Sequence, residues 1–292
     1  MNWMKFKWLY FLLSALVLVP GIVSLILFGL KPAIDFTGGS LLELKFKDTE
    51  ILRYEDIKRA VEKMGLEVLS VQASGENQIL IRLQPIEKEQ AEEIKSIIKE
   101  KFEQEPEEVR FETIGPTLGK ELIRKTIWAI VLAAGFIMAY VAWRFKDAKF
   151  GVCAILAMFH DTFILLGSFS LLGHFLGIEI DTLFVTAVLT ILSFSVHDTV
   201  VVYDRIRESQ KLLPKASFVD LVNKAVTETL SRSVNNSMTI IFMLIALLLL
   251  GGTTIKWFVA ALLIGTIAGT YSSTFTAAPL LVVWEKLKTR KH

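Results

Sequence analysis

Six stretches of the chain are apolar over the length that a helix needs to cross a bilayer: 8–30, 122–143, 150–176, 182–203, 232–250 and 257–284. A helix covers roughly 30 Å of hydrocarbon in about 20 residues, and these segments meet or approach that length. Hydrophobic residues make up 53% of the 292, and the mean hydropathy is +0.51, too apolar for a soluble globular protein of this size. The sequence therefore predicts an α-helical polytopic membrane protein with six transmembrane helices. Its first segment follows Lys5 and Lys7 and has two readings, a signal peptide or a retained anchor. The apolar run exceeds the usual signal core and no small-x-small cleavage pattern follows, which favours the anchor.

Orientation follows from the basic residues beside the spans. With both termini in the cytoplasm, the inside flanks and loops hold fifteen Lys and Arg, among them Arg144, Lys149, Arg205, Arg207, Lys211 and Arg232. The outside flanks hold five, namely Lys31, Lys120, Arg124, Lys125 and Lys256. The positive-inside rule selects that topology and predicts a multi-pass protein of the cytoplasmic membrane. The single cysteine, Cys153, lies in an apolar segment, so the exported part has no disulfide and a thiolate metal cage is excluded.

Between the first two spans the composition changes. Residues 36–113 hold 18 acidic and 12 basic side chains, with apolar residues in periodic patterns. Residues 40–46, 68–73, 78–84 and 109–114 read as strands, while 54–64 and 87–102 read as amphipathic helices. The order βαββαβ is that of a ferredoxin-like split βαβ unit. The expected division is 1–35 for the N-terminus and first helix, 36–114 for an exported ferredoxin-like domain, and 115–292 for helices two to six. The exported domain contains no nucleophile beside a base, no metal cluster and no phosphate loop, so binding or leverage is expected of it rather than catalysis. Gly38 and Gly39 join the first span to this domain, and Gly115 and Pro116 return the chain to the membrane; both junctions are candidate hinges.

The costliest residues lie inside the spans. Asp198 sits within the fourth apolar segment, where a carboxylate costs on the order of 2.5 kcal/mol or more and usually faces a bundle interior or aqueous pathway. His197 precedes it, Thr199 follows, and a second pair, His160 and Asp161, lies deeper in the third span. Arg232 opens the fifth apolar segment at a depth similar to Asp198, among Ser231, Ser233, Asn235 and Asn236. A carboxylate, an imidazole and a cation together suit proton handling. Adjacent His and Asp diverge by about 100° on a helix, which argues against a metal site within either pair. For His160 and Asp161 the alternative is polar glue between helices. Residues 204–208 read as a solvated charge run, and Gly265, Ala268, Gly269 and Ser272 as a close-packing face without chemistry. An intramembrane hydrolase built on the His-Asp pairs, and an efflux subunit with an exported substrate pocket, are the rival classes.

Several ordered motifs along nearly the whole chain resemble the SecF family of the SecDF protein-export complex. They are Asp35-Phe36-Thr37-Gly38-Gly39, Gly115-Pro116-Thr117-Leu118-Gly119-Lys120-Glu121-Leu122, His160-Asp161, and the run from Asp198 to Glu208 that ends Tyr203-Asp204-Arg205-Ile206-Arg207-Glu208. The resemblance implies half of a pseudo-symmetric transporter of the resistance-nodulation-division type, completed by SecD and working beside the SecYEG channel on unfolded exported polypeptides. It implies a proton-conducting site in which Asp198 and Arg232 meet an aspartate from SecD, with sodium as the coupling ion in some relatives. The partners implied are SecD, SecYEG, exported polypeptides and the lipid bilayer, with no nucleic acid, no cofactor and no metal. Two positions depart from the family pattern: His197 stands where asparagine is usual, and Tyr203 where phenylalanine is usual.

Overall fold

The computed structural model describes residues 2–47, 53–75, 77–145 and 147–289. Lys146, Arg290 and Lys291, which contribute to the inside positive charge, lie outside the described residues, as does Glu76 of the turn after residue 73. The chain divides into two compact units: residues 1–31 with 128–292, and residues 32–127.

In the unit of residues 32–127, a short helix α2 (Ile34–Thr37) leads into β1 (Gly39–Lys45), α3 (Tyr54–Glu62), β2 (Val68–Gly75), β3 (Gln78–Leu83), α4 (Lys88–Phe102) and β4 (Glu107–Ile114). The sheet order is β2-β3-β1-β4, with every neighbouring pair antiparallel. This is the ferredoxin-like arrangement that the element order predicts. Alternation decides the faces: Ile79, Ile81 and Leu83 of β3 and Leu42 and Leu44 of β1 are fully buried, and they share a core with Ile57 and Val61 of α3 and Ala91, Ile94 and Ile98 of α4. A capping box starts α4, in which Glu87 and Gln90 bond reciprocally to the backbone.

Gly38, Gly39 and Gly119 are junction positions that no side chain fits. Gly38 and Gly39 have φ of 74° and 126°, and a Cβ on Gly38 would lie 2.8 Å from the Cα of Pro116. A Cβ on Gly119 would lie 2.9 Å from the carbonyl oxygen of Phe36. The segment before β1 and the segment after β4 therefore pack backbone to backbone, which explains why both are glycine-rich.

Six helices are long and apolar enough to cross a membrane. A 3-10 turn (Trp3–Phe6) and α1 (Lys7–Leu27) supply the first. The others are α5 (Pro116–Arg144), α6 (Ala148–Leu176), α7 (Thr182–Leu212), α8 (Phe218–Leu250), and a final span made of α9 (Thr253–Ser272), a π-helical segment (Ser273–Ala277) and α10 (Ala278–Thr289). In the unit that holds most of this helical mass, α7 packs against α6, α8 and α9, and α1 packs against α6. The α1–α6 contact is made by small residues. Gly21 meets Gly167, and the hydroxyls of Ser24 and Ser170 lie 2.7 Å apart, the close backbone approach that membrane helices favour.

Two helices run further than hydropathy predicts. Residues 204–208 are not a loose charged run but the continuation of α7, held by Arg205 to Glu208 and to Glu228 of α8, each at 2.6 Å, and by Arg144 to Asp204. Facing charged partners hold these solvated turns helical where apolar content does not. The same pairing extends α8 upstream, so Arg232 lies 14 residues inside a helix beginning at Phe218 rather than at its start. The 3-10 turn docks here too: Met4 is buried, its N–H donates to Asn223 Oδ1 at 2.9 Å, and Trp3 Nε1 donates to Thr227 at 3.0 Å.

Candidate functional site

Asp198 is buried in the middle of α7, and its carboxylate is held by hydroxyls from two other helical segments. Ser233 of α8 lies 2.8 and 2.6 Å from the two oxygens, and Ser273, the first residue of the π-helical segment, donates to Oδ2. Two donated hydroxyl bonds satisfy much of an anion's requirement without a counter-cation, and the same hydroxyls can turn to accept from a carboxylic acid. The site is therefore built to hold the group in either state. Chemically it can bind and release a proton or a small cation.

The π-helical turn positions this contact. An extra residue per turn breaks the register of the last span, and such turns recur at functional sites. It places Ser272 and Ser273, consecutive in sequence, on two different carboxylates. Ser272 donates to Asp161 Oδ2 at 2.5 Å, and Ser195 of α7 donates to the same oxygen at 2.6 Å. Tyr203 is fully buried, and its hydroxyl donates to the carbonyl of Ala277, the last π-helical residue, at 3.0 Å. The tyrosine hydroxyl thus satisfies a carbonyl at the end of the irregular turn, a bond that phenylalanine at this position would not make.

His160 and Asp161 are in contact although adjacent: the ring Nδ1 lies 2.9 Å from Asp161 Oδ1. Flexible torsions about both side chains overcome the 100° divergence of their Cα–Cβ bonds. His197 behaves otherwise. It is exposed and lines a cavity of about 310 Å³ with Phe136, Ile137 and Tyr140 of α5 and Ser193, Val196 and Val200 of its own helix, away from the Asp198 carboxylate. Thr199 is fully buried, and its hydroxyl has no partner among the described residues.

Arg232 neighbours Ser233 in sequence but leaves α8 on its exposed face, with Ser231, Asn235 and Asn236 exposed beside it. Among the described residues it pairs with no carboxylate, and the structure does not bring it to Asp198. Ser233, Ser273, Ser195 and Ser272 are the site residues that the sequence reading undervalued. The one signal for them was the hydroxyl run Ser272-Ser273-Thr274 within an otherwise apolar span. Among the described residues no group of three or more His, Cys, Asp or Glu is arranged to hold a metal ion.

Comparison with known proteins follows the same architecture. The family described as "Protein export membrane protein SecD/SecF, C-terminal" matches residues 93–287, and the "SecD/SecF GG Motif" matches residues 23–50. A protein translocase subunit SecF from Thermobaculum terrenum is 43% identical over 96% of this chain and 93% of its own length. One from Anaerolinea thermophila is 37% identical over 96% of this chain and 92% of its own. The crystal structure of SecDF, a translocon-associated membrane protein from Thermus thermophilus, superposes with a TM-score of 0.86 at 34% identity, covering 98% of this chain and 39% of that longer one. Matched along almost its whole length in sequence and in fold, the chain belongs to the SecD/SecF family of protein-export membrane proteins, in its SecF branch.

Proposed function

We propose that this chain is the SecF half of a SecD–SecF assembly that couples an ion gradient, of protons or of sodium, to the export of unfolded polypeptides through SecYEG. The observation that carries the reading is Asp198: a carboxylate buried at mid-helix, held by two hydroxyls, with no cation paired to it among the described residues. A structural carboxylate at that depth is expected to keep a permanent counter-charge, whereas one that changes charge state is served by hydroxyls that reverse their bonds.

Arg232 supports the same reading from the other side. Its guanidinium is exposed where the apolar part of α8 begins, and an unpaired charge that meets lipid there is costly. Its position one residue from Ser233 suits a site completed across the exposed face of α8 by an acidic group of a partner, and the longer SecDF relatives carry a SecD part. Asn235 and Asn236 are the further polar groups exposed beside Arg232. In this reading the protein lies in the cytoplasmic membrane with both termini in the cytoplasm and residues 36–114 exported. Gly38, Gly39, Gly115 and Pro116 form the hinge through which the exported domain is moved, and the chemistry is transport rather than hydrolysis.

The test is export of an unfolded precursor by liposomes holding SecYEG, its motor, and this chain assembled with SecD. An imposed gradient is expected to stimulate export only when the assembly is present. Loss of stimulation on adding a protonophore assigns the proton, and loss only on collapsing a sodium gradient assigns sodium. Export indifferent to both gradients would overturn the proposal.

A further inference from the structure

A second buried carboxylate lies one helical turn from Asp198. Asp161 of α6 is completely buried and accepts from Ser195 and Ser272 on one oxygen, with His160 Nδ1 on the other. Ser195 precedes Asp198 by three residues on α7, and Ser272 precedes Ser273 on the last span. The two carboxylates are therefore offset along the bundle by about 4.5 Å of helical rise, each held by one of two consecutive serines.

Open polar atoms flank the serine pair. His160 Nε2 is buried and has no partner among the described residues, and neither has the Thr199 hydroxyl beside Asp198. With Asp161 ionised, His160 Nδ1 donates to it and Nε2 is left as an acceptor facing no donor. A purely structural hydrogen-bond cluster closes on itself. This one keeps a basic nitrogen free at one end.

We propose that His160 and Asp161 form a second proton-holding site in series with Asp198, and that Ser272 and Ser273 at the α-to-π junction couple the two; this rests on the proton reading of Asp198. When His160 Nε2 takes up a proton that Asp198 has released, one O–H bond is broken at the carboxyl and one N–H bond is formed on the ring. Ser233 and Ser273 stabilise the carboxylate left behind, and Asp161 neutralises the new imidazolium. The titratable groups facing Asp161 are His160 on its own helix and Asp198 on α7. From α9 it meets Ser272, and the buried residues of α1, which packs on α6, are Ser14, Gly21 and Ser24. No Lys or Arg among the described residues pairs with either carboxylate.

The experiment measures gradient-stimulated export as a function of pH in the liposomes described above, for Asp161→Asn, Asp161→Glu and His160→Asn. Asparagine at 160 keeps an amide donor near the Nδ1 position but cannot take a proton. His160→Asn and Asp161→Asn are expected to lower stimulation about a hundredfold or to background, the loss expected for a positioned proton carrier, and to remove one titrating limb of the pH profile. Asp161→Glu should restore that limb. If Asp161→Asn does not assemble, His160→Asn carries the test alone. An unchanged pH profile and full stimulation in His160→Asn would overturn the second site. Should Asp198→Asn abolish stimulation while both other variants behave as wild type, only the second site falls. Full stimulation in Asp198→Asn sinks the underlying reading of Asp198 itself.

Discussion

Asp198→Asn is expected to abolish the gradient-stimulated part of export, leaving the level of channels lacking the assembly, because a positioned proton carrier contributes about 10²–10⁴-fold. The substitution is close to isosteric, and its chemistry fits the site. Ser233 and Ser273 can each donate to the amide oxygen or accept from the amide nitrogen, so the fold and the assembly with SecD should survive. Asp198→Ala gives the informative contrast. It removes the carboxylate acceptor of both hydroxyls and leaves that of Ser233 buried without it, at about 1–3 kcal/mol, while Ser273 keeps the Thr270 carbonyl. Loss of coupling with normal assembly in the asparagine variant, against loss of both in the alanine variant, separates the charge of this group from its packing. The measurement is precursor export alongside the yield of co-purified complex.

Gly167→Leu is expected to have the largest effect on folding. A Cβ at this position would lie 2.5 Å from the Cα of Gly21, backbone against backbone, so no rotamer relieves the clash. Overpacking of a tight contact costs about 1–3 kcal/mol, and more where the backbone itself must move. Separating α1 from α6 would also pull apart the hydroxyls of Ser24 and Ser170. A loss of about 1–2 kcal/mol changes abundance in cells several-fold, so the amount of protein in the membrane is the readout. Gly135→Leu is the control. Nothing lies within 4 Å of a Cβ there, and its abundance should match the wild type.

What was legible in the sequence is what has a period. Apolar length marked the six spans, and strict alternation marked β3, where Ile79, Ile81 and Leu83 all face the core. Ends were harder. Glu107 and Glu108 belong to β4 because their backbones pair with Lys45 and Leu44 across a register shift, although acidic side chains carry no strand signal. The helix α2 escaped notice because four residues leave no period to detect. Past residue 203, the helical state depends on ion pairs such as Arg205 with Glu228, which join residues on different helices.

The site divided in the same way. Asp198, Asp161 and His160 stood out because charge and imidazole in an apolar span are expensive. The serines did not, since a hydroxyl bonds its own helix at little cost and no spacing marks the few that reach across, as Ser233 does to Asp198 and Ser272 to Asp161. The π-helical turn was invisible because its register shift arises from packing. Ser272 illustrates the limit: it fits the small-residue face of the last span, yet it is a ligand of a buried carboxylate. His197, conspicuous in sequence as a neighbour of Asp198, opens onto a different cavity because successive helical residues diverge.

The central claim is that the Asp198 carboxylate takes up and releases the coupling ion, and ion uptake measures it most directly. In liposomes holding only the assembly of this chain with SecD, an imposed proton gradient should acidify the lumen, reported by a trapped pH-sensitive dye, and Asp198→Asn should reduce that flux to the rate of protein-free liposomes. Sodium flux read in the same way covers the other ion. Flux of either ion that is the same in Asp198→Asn as in the wild-type assembly would contradict the account.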